Sequence, residues 1–297
     1  MASTENTSLS KSGSKPTDCQ PYAISDYSGL AQPPRVLKLS SNPTKVEALS
    51  IKVEDTMDGF VPGFLHMPQD FVPLPPRGHH HTAAILLSGA GGGVAGPSSI
   101  YLSLAAKLAA LGTSIPTLRL DYRYPARTTY CVDDVKAAIG YLQETYGIHR
   151  FVLIGWSFSG AAVFTVGGSD DRIIGCATMA SQTAETEPIR SLAPTPVLLL
   201  HGTGDSTISS DCSQRLYEMY GSGGNRHIHF FEGDNHALSH NAKAVEGMLL
   251  DFIIGCAGLR VDDKERKTIL SQTLVEDGER EELMKKGGDL RPPERIE

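Results

Sequence analysis

The feature that most constrains the fold is a short segment in the middle of the chain, Gly155-Trp156-Ser157-Phe158-Ser159-Gly160. An apolar run, Phe151–Ile154, precedes it, and the small residues Ala161–Val163 follow it. A strand that turns sharply into a helix needs small residues at the turn, because the strand and the helix nearly touch there. Such a turn lifts one hydroxyl, here that of Ser157, above the end of a sheet, which is typical of a catalytic nucleophile. The alternative is an ordinary strand-turn-helix connection whose serine caps the helix.

Two later segments supply an acid and a base in the chain order that this layout requires. The apolar run Val197–Leu200 leads to Asp205 on the next loop, and the alternating run His227–Phe231 leads to His236. Serine, aspartate and histidine at the ends of successive strands are far harder to obtain by chance than one short motif. We therefore expect Ser157 to be the nucleophile, His236 its base and Asp205 the acid that orients the base.

With these residues the chain resembles the α/β-hydrolase superfamily over about residues 46 to 255, and it is most similar to compact dienelactone-hydrolase-like and small carboxylesterase members without a lid. The resemblance implies an α/β fold with a mostly parallel central sheet, helices on both faces and no large cap domain. It also implies hydrolysis of an ester or thioester through an acyl-enzyme, without a cofactor or a metal. Ser159 departs from the usual final glycine of the motif. Sites of the dienelactone type often carry a cysteine where this chain has Ser157, so that substrate is not implied.

The spacing of apolar residues independently predicts alternating strands and helices, and hence a mostly parallel sheet. The predicted strands cover residues 46–53, 60–66, 83–87, 115–120, 151–154, 173–179, 197–200 and 227–231. Composition divides the chain into a polar N-terminal arm, residues 1–45, a hydrolase-like core, residues 46–257, and a densely charged extension, residues 258–297. We expect the arm to be flexible and the extension to be solvated.

A glycine-rich loop, Ser88–Gly93, follows the third predicted strand. In a hydrolase it would supply an oxyanion-hole amide, from Ala90 or Gly91, beside the amide of Phe158. The alternative is a dinucleotide-binding fingerprint, because Gly91–Gly96 fits the spacing Gly-x-Gly-x-x-Gly. The motif does not follow the first strand, and Pro97 comes directly after Gly96, so the sequence favours the oxyanion loop.

Several other residues invite a functional role, and most have a simpler interpretation. His240 is the backup base and Asp234 the backup acid, whereas we expect His201 to be structural. The triplet His79–His81 is not expected to bind metal, because consecutive residues of an extended chain point to opposite faces. Cys131 lies near a helix start, where a thiolate could be favoured, but we expect it to be idle.

Access to the site depends on the segment after the sixth predicted strand, where lidded hydrolases carry an insertion. Here only residues 181–196 separate that strand from the next, too few for a helical cap. We therefore expect a site open to small or medium-sized soluble substrates. Asp121 and Arg123, at the end of a strand on the same side of the sheet, either shape the pocket or form a structural ion pair.

Composition narrows the class of function further. The chain has 297 residues, 40% of them hydrophobic, and a net charge of −7, which argues against nucleic acid and anionic membranes as partners. Five cysteines without paired spacing, no apolar leader and no span of bilayer length predict a cytoplasmic protein with reduced thiols. The expected partner is a small ester substrate. A ligand-binding protein that has lost turnover and a small serine peptidase remain the alternatives.

Overall fold

The computed structural model describes residues 24–39, 41–73, 81–294 and 296. Its strands are β1 (Thr44–Lys52), β2 (Phe60–Pro68), β3 (His81–Leu87), β4 (Thr117–Leu120), β5 (Ile148–Trp156), β6 (Ile173–Met179), β7 (Val197–Gly202) and β8 (Arg226–Phe231). The helices are α1 (Ile100–Ala110), α2 (Thr128–Tyr146), α3 (Gly160–Gly167), α4 (Asp211–Tyr220), α5 (Ala242–Ala257), α6 (Asp263–Glu265, continued by a π-helix at Arg266–Leu270) and α7 (Arg280–Lys286).

The eight strands form one sheet in the order β1-β2-β4-β3-β5-β6-β7-β8. β2 runs antiparallel to β1 and β4, and the other neighbouring pairs are parallel. The carboxyl ends of the parallel strands meet at one edge, where ligands bind in open α/β sheets. The mostly parallel sheet predicted from the sequence is thus confirmed.

Helices cover both faces of the sheet, and the central strand β5 shows why its sequence is continuously apolar. Phe151 and Leu153 join one buried cluster, with residues of α2 and α3. Val152 and Ile154 join the opposite cluster, with residues of α1 and α5. Since successive side chains of a strand point to opposite faces, a strand covered on both faces has no position for a polar alternation.

The chain beyond residue 258 packs on this core, which differs from the expectation of a solvated extension. Ile269, Leu274 and Met284 are buried in the cluster with α1 and α5. Val275 joins a third cluster with Tyr27 of the N-terminal segment. A few apolar anchors are sufficient for docking because each lies against an already formed surface.

The arm predicted to be flexible lies partly outside the described residues. Its described part has short 3₁₀-helices at Ile24–Leu30 and Val36–Leu39. Tyr27, Leu30 and Leu39 are buried against the core. None of the described helices combines the length and the apolar character that crossing a bilayer requires.

Candidate active site

Ser157 lies on a sharp turn between β5 and α3. Its φ of 56° is in the left-handed region, which is costly for a residue with a side chain and is found where a site demands it. A Cβ on Gly155 would lie 2.8 Å from Val163, and one on Gly160 would lie 2.0 Å from the Ser181 hydroxyl. The small residues of the motif are therefore required by close packing, as the sequence predicts.

The unusual serine of the motif, Ser159, joins the turn to the glycine-rich loop. Its hydroxyl is 2.8 Å from that of Tyr122 and donates to the backbone carbonyl of Ser88. All three residues are buried. A final glycine could not make this bridge, so the departure from the common pattern has a structural reason that the sequence did not show.

Asp205 and His236 form a hydrogen bond at the ends of the neighbouring strands β7 and β8. Asp205 Oδ2 lies 2.7 Å from His236 Nδ1, and both side chains are fully buried. Burial alone would raise the pKa of Asp205, but hydrogen bonds from His201 and His236 outweigh it and hold that pKa well below its usual range. The carboxylate thus stays ionised and can orient the imidazole.

His201, expected to be only structural, is a second partner of the acid. Its Nε2 lies 3.1 Å from Asp205 Oδ2 and 3.0 Å from the carbonyl oxygen of Ile208. Its Nδ1 lies 2.7 Å from the Ser213 hydroxyl. Two acceptors at Nε2 place the proton there, so His201 donates to Asp205 Oδ2, the same carboxylate oxygen that His236 contacts.

The backup residues pair with each other instead of with this site. Asp234 accepts hydrogen bonds from the amides of Asn235, His240 and Asn241. The His240 side chain, 72% exposed, lies 3.1 Å from Asp234 through Nδ1. Asp234 therefore holds the loop before α5, and the geometry favours His236 over His240 as the base.

The glycine-rich loop contacts Glu294, a residue that no motif in the sequence marks as functional. The amide of Gly91 lies 3.4 Å from Glu294 Oε2, and His236 Nε2 lies 3.1 Å from Glu294 Oε1. Ala90 and Phe158 are partly exposed, and their amides stay predicted donors. Glu294 is buried over the site, so the expectation of an open site is wrong. Residues 181–196 nevertheless form no cap, and they hold only a 3₁₀-helix, Glu187–Ser191.

The second carboxylate changes the electrostatics of His236. Burial alone would lower the pKa of His236, but hydrogen bonds to Asp205 and Glu294 outweigh it and raise that pKa to about 9. Glu294 in this position therefore favours the imidazolium, which cannot act as a general base.

Asp289 and Arg291 fix the chain that leads to Glu294. Asp289 is fully buried and accepts hydrogen bonds from the Ser88 hydroxyl and from the amides of Ala95 and Gly96. These contacts attach the C-terminal segment directly to the glycine-rich loop.

Asp121 and Arg123 belong to two different networks. Asp121 lies 2.6 Å from the Arg291 guanidinium and accepts from the amide of Gly93, so it supports the loop. Arg123 pairs with Asp55 and Asp134, each at 2.5 Å, which is a structural ion-pair network.

The surroundings of the glycine motif and of Cys131 do not suit their alternative roles. A Cβ on Gly93 would lie 2.5 Å from the amide nitrogen of Asp289, so the chain itself fills the space over the motif. Cys131 is fully buried, and burial raises the pKa of its thiol. His79 and His80 lie outside the described residues, among which no group of three or more His, Cys, Asp or Glu side chains is placed to hold a metal.

No protein-family model matches the sequence, and the search of curated proteins returns no relative. Solved structures do match. Est1E from Butyrivibrio proteoclasticus has 16% identity and a TM-score of 0.58 over 71% of this chain and 99% of its own. The dienelactone hydrolase from Anabaena variabilis has 13% identity and a TM-score of 0.57 over 71% of this chain and 98% of its own. XC6422 from Xanthomonas campestris, an α/β serine hydrolase without a lid, has 14% identity and a TM-score of 0.54 over 74% of this chain and 98% of its own. At these identities the likeness establishes the fold, which is the α/β-hydrolase fold that the sequence predicts.

Proposed function

We propose that this chain, built on the α/β-hydrolase fold, is a serine hydrolase that cleaves esters or thioesters of small or medium-sized molecules. The observation that carries the proposal is the buried hydrogen bond of 2.7 Å between Asp205 and His236. It lies at the sheet edge where the strained turn presents Ser157. Acyl transfer requires a nucleophile on a sharp strand-to-helix turn and a histidine that is oriented by an acid.

In the proposed mechanism His236 Nε2 takes the proton of Ser157 as the Ser157 oxygen attacks the ester carbonyl. Asp205 holds the imidazole through Nδ1 and stabilises its charged form. The oxyanion accepts hydrogen bonds from the Phe158 amide and from that of Ala90 or Gly91. The alcohol leaves with the proton from His236, and the acyl group stays on Ser157. Water, deprotonated by His236, then releases the acid.

Two observations support a carbonyl-containing substrate. A carboxylate oxygen of Glu294 already faces the Gly91 amide, so this loop can accommodate an oxygen acceptor. Among the matching structures, one is described as ferulic acid bound to Est1E. We infer from both that the acyl part of the substrate is a small organic acid.

The test is hydrolysis of nitrophenyl esters of increasing acyl length by the purified chain. We expect turnover that falls by about a thousandfold or more in Ser157→Ala and in His236→Ala. The matched controls are Ser169→Ala and His240→Ala, both at exposed side chains, which should stay close to wild type. Turnover retained in Ser157→Ala would overturn the assignment of the nucleophile.

A non-catalytic binding protein is the second candidate, because Glu294 lies at the nitrogen that a base would use. The two candidates differ in the reactivity of Ser157. A fluorophosphonate probe labels a serine that has a working base, and it leaves an idle serine unmodified.

A further inference from the structure

The last described stretch of the chain lies against the candidate site, and at its centre is a buried carboxylate. Glu294 is only 6% exposed, whereas Pro292 and Pro293 directly before it are exposed. Its Oε1 lies 3.1 Å from His236 Nε2, and its Oε2 lies 3.4 Å from the Gly91 amide nitrogen. The proposed base and an amide of the oxyanion loop therefore hold one carboxylate between them.

The Glu294 carboxylate has the chemistry of the acid that ester hydrolysis would release. In that reaction one oxygen of the acid faces the oxyanion amides and the other faces His236. An ester carbonyl and Glu294 therefore cannot occupy the site together. The hydrogen bond to Glu294 also engages Nε2, so that nitrogen is not free to accept a proton from Ser157.

The oxyanion loop fits this occupant closely. A Cβ on Gly89 would lie 1.9 Å from Glu294 Oε2, and one on Gly91 would lie 2.4 Å from the carbonyl oxygen of Arg291. Carbon atoms do not approach oxygen atoms so closely, so the contact needs glycine at both positions. The glycine-rich loop and the segment that carries Arg291 and Glu294 are thus complementary in shape over several residues, and not at one atom alone.

The segment is fixed at one end by a fully buried side chain, and its apolar residues Leu290 and Ile296 are only partly buried against the core. Asp289 is fully buried in the glycine-rich loop. Beyond it, the Arg291 side chain, 17% exposed, pairs with Asp121 at 2.6 Å, and two exposed prolines follow. Besides the contacts of Glu294 itself, lifting these residues from the site would break the Arg291–Asp121 ion pair and the contacts of the partly buried Leu290 and Ile296, while Asp289 and the helix before it stay packed.

We propose that residues 290–294, which we name the strap, are an internal occupant of the active site, in which Glu294 competes with the acyl group of the substrate for His236 and the Gly91 amide. The inference rests on the esterase function proposed above. The strap must lift before an ester reaches Ser157, and the lifted fraction sets the apparent reactivity of the enzyme. Small carboxylic acids are the class of ligand that takes the same place.

The experiment compares the rate at which a fluorophosphonate probe labels full-length wild type, Glu294→Ala and Glu281→Ala. Glu281→Ala is the matched control, because it removes the same charge from an exposed position on α7. We expect the probe to label Glu294→Ala at least about fivefold faster than the other two proteins. This is the change expected if the strap covers the site in about four wild-type molecules out of five and leaves it in the variant. Sodium propionate, which replaces the lost side chain, should slow Glu294→Ala more than wild type, with sodium chloride as the salt control.

Three results would count against the strap. Labelling of Glu294→Ala at or below the wild-type rate, with an unchanged melting temperature, would overturn the strap and leave the esterase function standing. Equal slowing of both proteins by propionate would overturn the role of the carboxylate itself. Folded wild type and Glu294→Ala that both fail to react at any probe concentration would overturn the proposed function, and the strap with it.

Discussion

The carboxylate of Glu294 lies 3.1 Å from Nε2 of His236, a contact that joins residues 58 positions apart in the sequence. Nε2 is the atom that would take the proton of the proposed nucleophile, and the opposite nitrogen already binds Asp205. The imidazole is therefore held between two carboxylates, and this arrangement is stable only while the ring carries both protons.

This arrangement makes the reactivity of the serine dependent on pH. The groups that face His236 are Asp205, itself bound by His201, and Glu294. The pKa of His236 is raised from 6.5 to about 9, so the contact with Glu294 is at full strength below pH 6.5 and is lost as pH rises through about 9. We expect the labelling ratio of Glu294→Gln to wild type to be largest near pH 6.5 and to approach one above about pH 9. A ratio that does not change with pH would contradict the link between the strap and the imidazolium.

The bridge made by Ser159 should contribute to stability. Ser159→Ala removes the hydroxyl between the Tyr122 hydroxyl and the Ser88 carbonyl, both of which are buried. Leaving buried polar groups without a partner costs about 1–3 kcal/mol, and we expect the free energy of unfolding in urea to fall by that amount. Ser169→Ala, at an exposed serine, is the control and should change it by less than about 0.5 kcal/mol. Equal stability of the two variants would show that the bridge is dispensable.

His201 should act as a positioning residue through Asp205. His201→Ala removes the donor 3.1 Å from Asp205 Oδ2, so the carboxylate loses one of its two imidazole partners. We expect kcat/KM for a nitrophenyl ester to fall by about tenfold, mainly through kcat, because the orientation of the base becomes less defined. The acidic limb of the pH profile, which reports the pKa of His236, should also move upward, because His201 no longer shares the Asp205 oxygen that His236 contacts.

The control for this variant is His227→Ala, which truncates an exposed histidine on the edge strand β8. It should leave both kcat and the pH profile unchanged. A loss of stability in His201→Ala without any change in the pH profile would indicate a purely structural role.

The sequence was sufficient to predict where the strands end and which candidate catalytic side chains follow them. Ser157 and Asp205 follow apolar runs and His236 follows an alternating run, and the structure has these runs as β5, β7 and β8 of one sheet. The hydrogen bond between Asp205 and His236 was predictable because adjacent parallel strands place their loops side by side. Their catalytic roles remain predictions.

The position of Glu294 was not predictable from periodicity. Residues 287–294 have no helical or strand pattern, and their contacts with the glycine-rich loop span about two hundred positions of the chain, as in the hydrogen bond between Ser88 and Asp289. A charged tail without apolar spacing predicts solvation, but the buried Asp289 is held by hydrogen bonds, which leave no periodic signal. The paired glycines and prolines of this stretch were the only local sign that it is not a simple solvated helix.

The central claim is that Ser157 is an activated nucleophile, and mass spectrometry after fluorophosphonate treatment tests it most directly. We expect one probe adduct in wild type, located on the peptide that contains Ser157 and formed faster in Glu294→Ala. Ser157→Ala should show no adduct. An adduct on another residue, or none in wild type and Glu294→Ala while both remain folded, would contradict the claim.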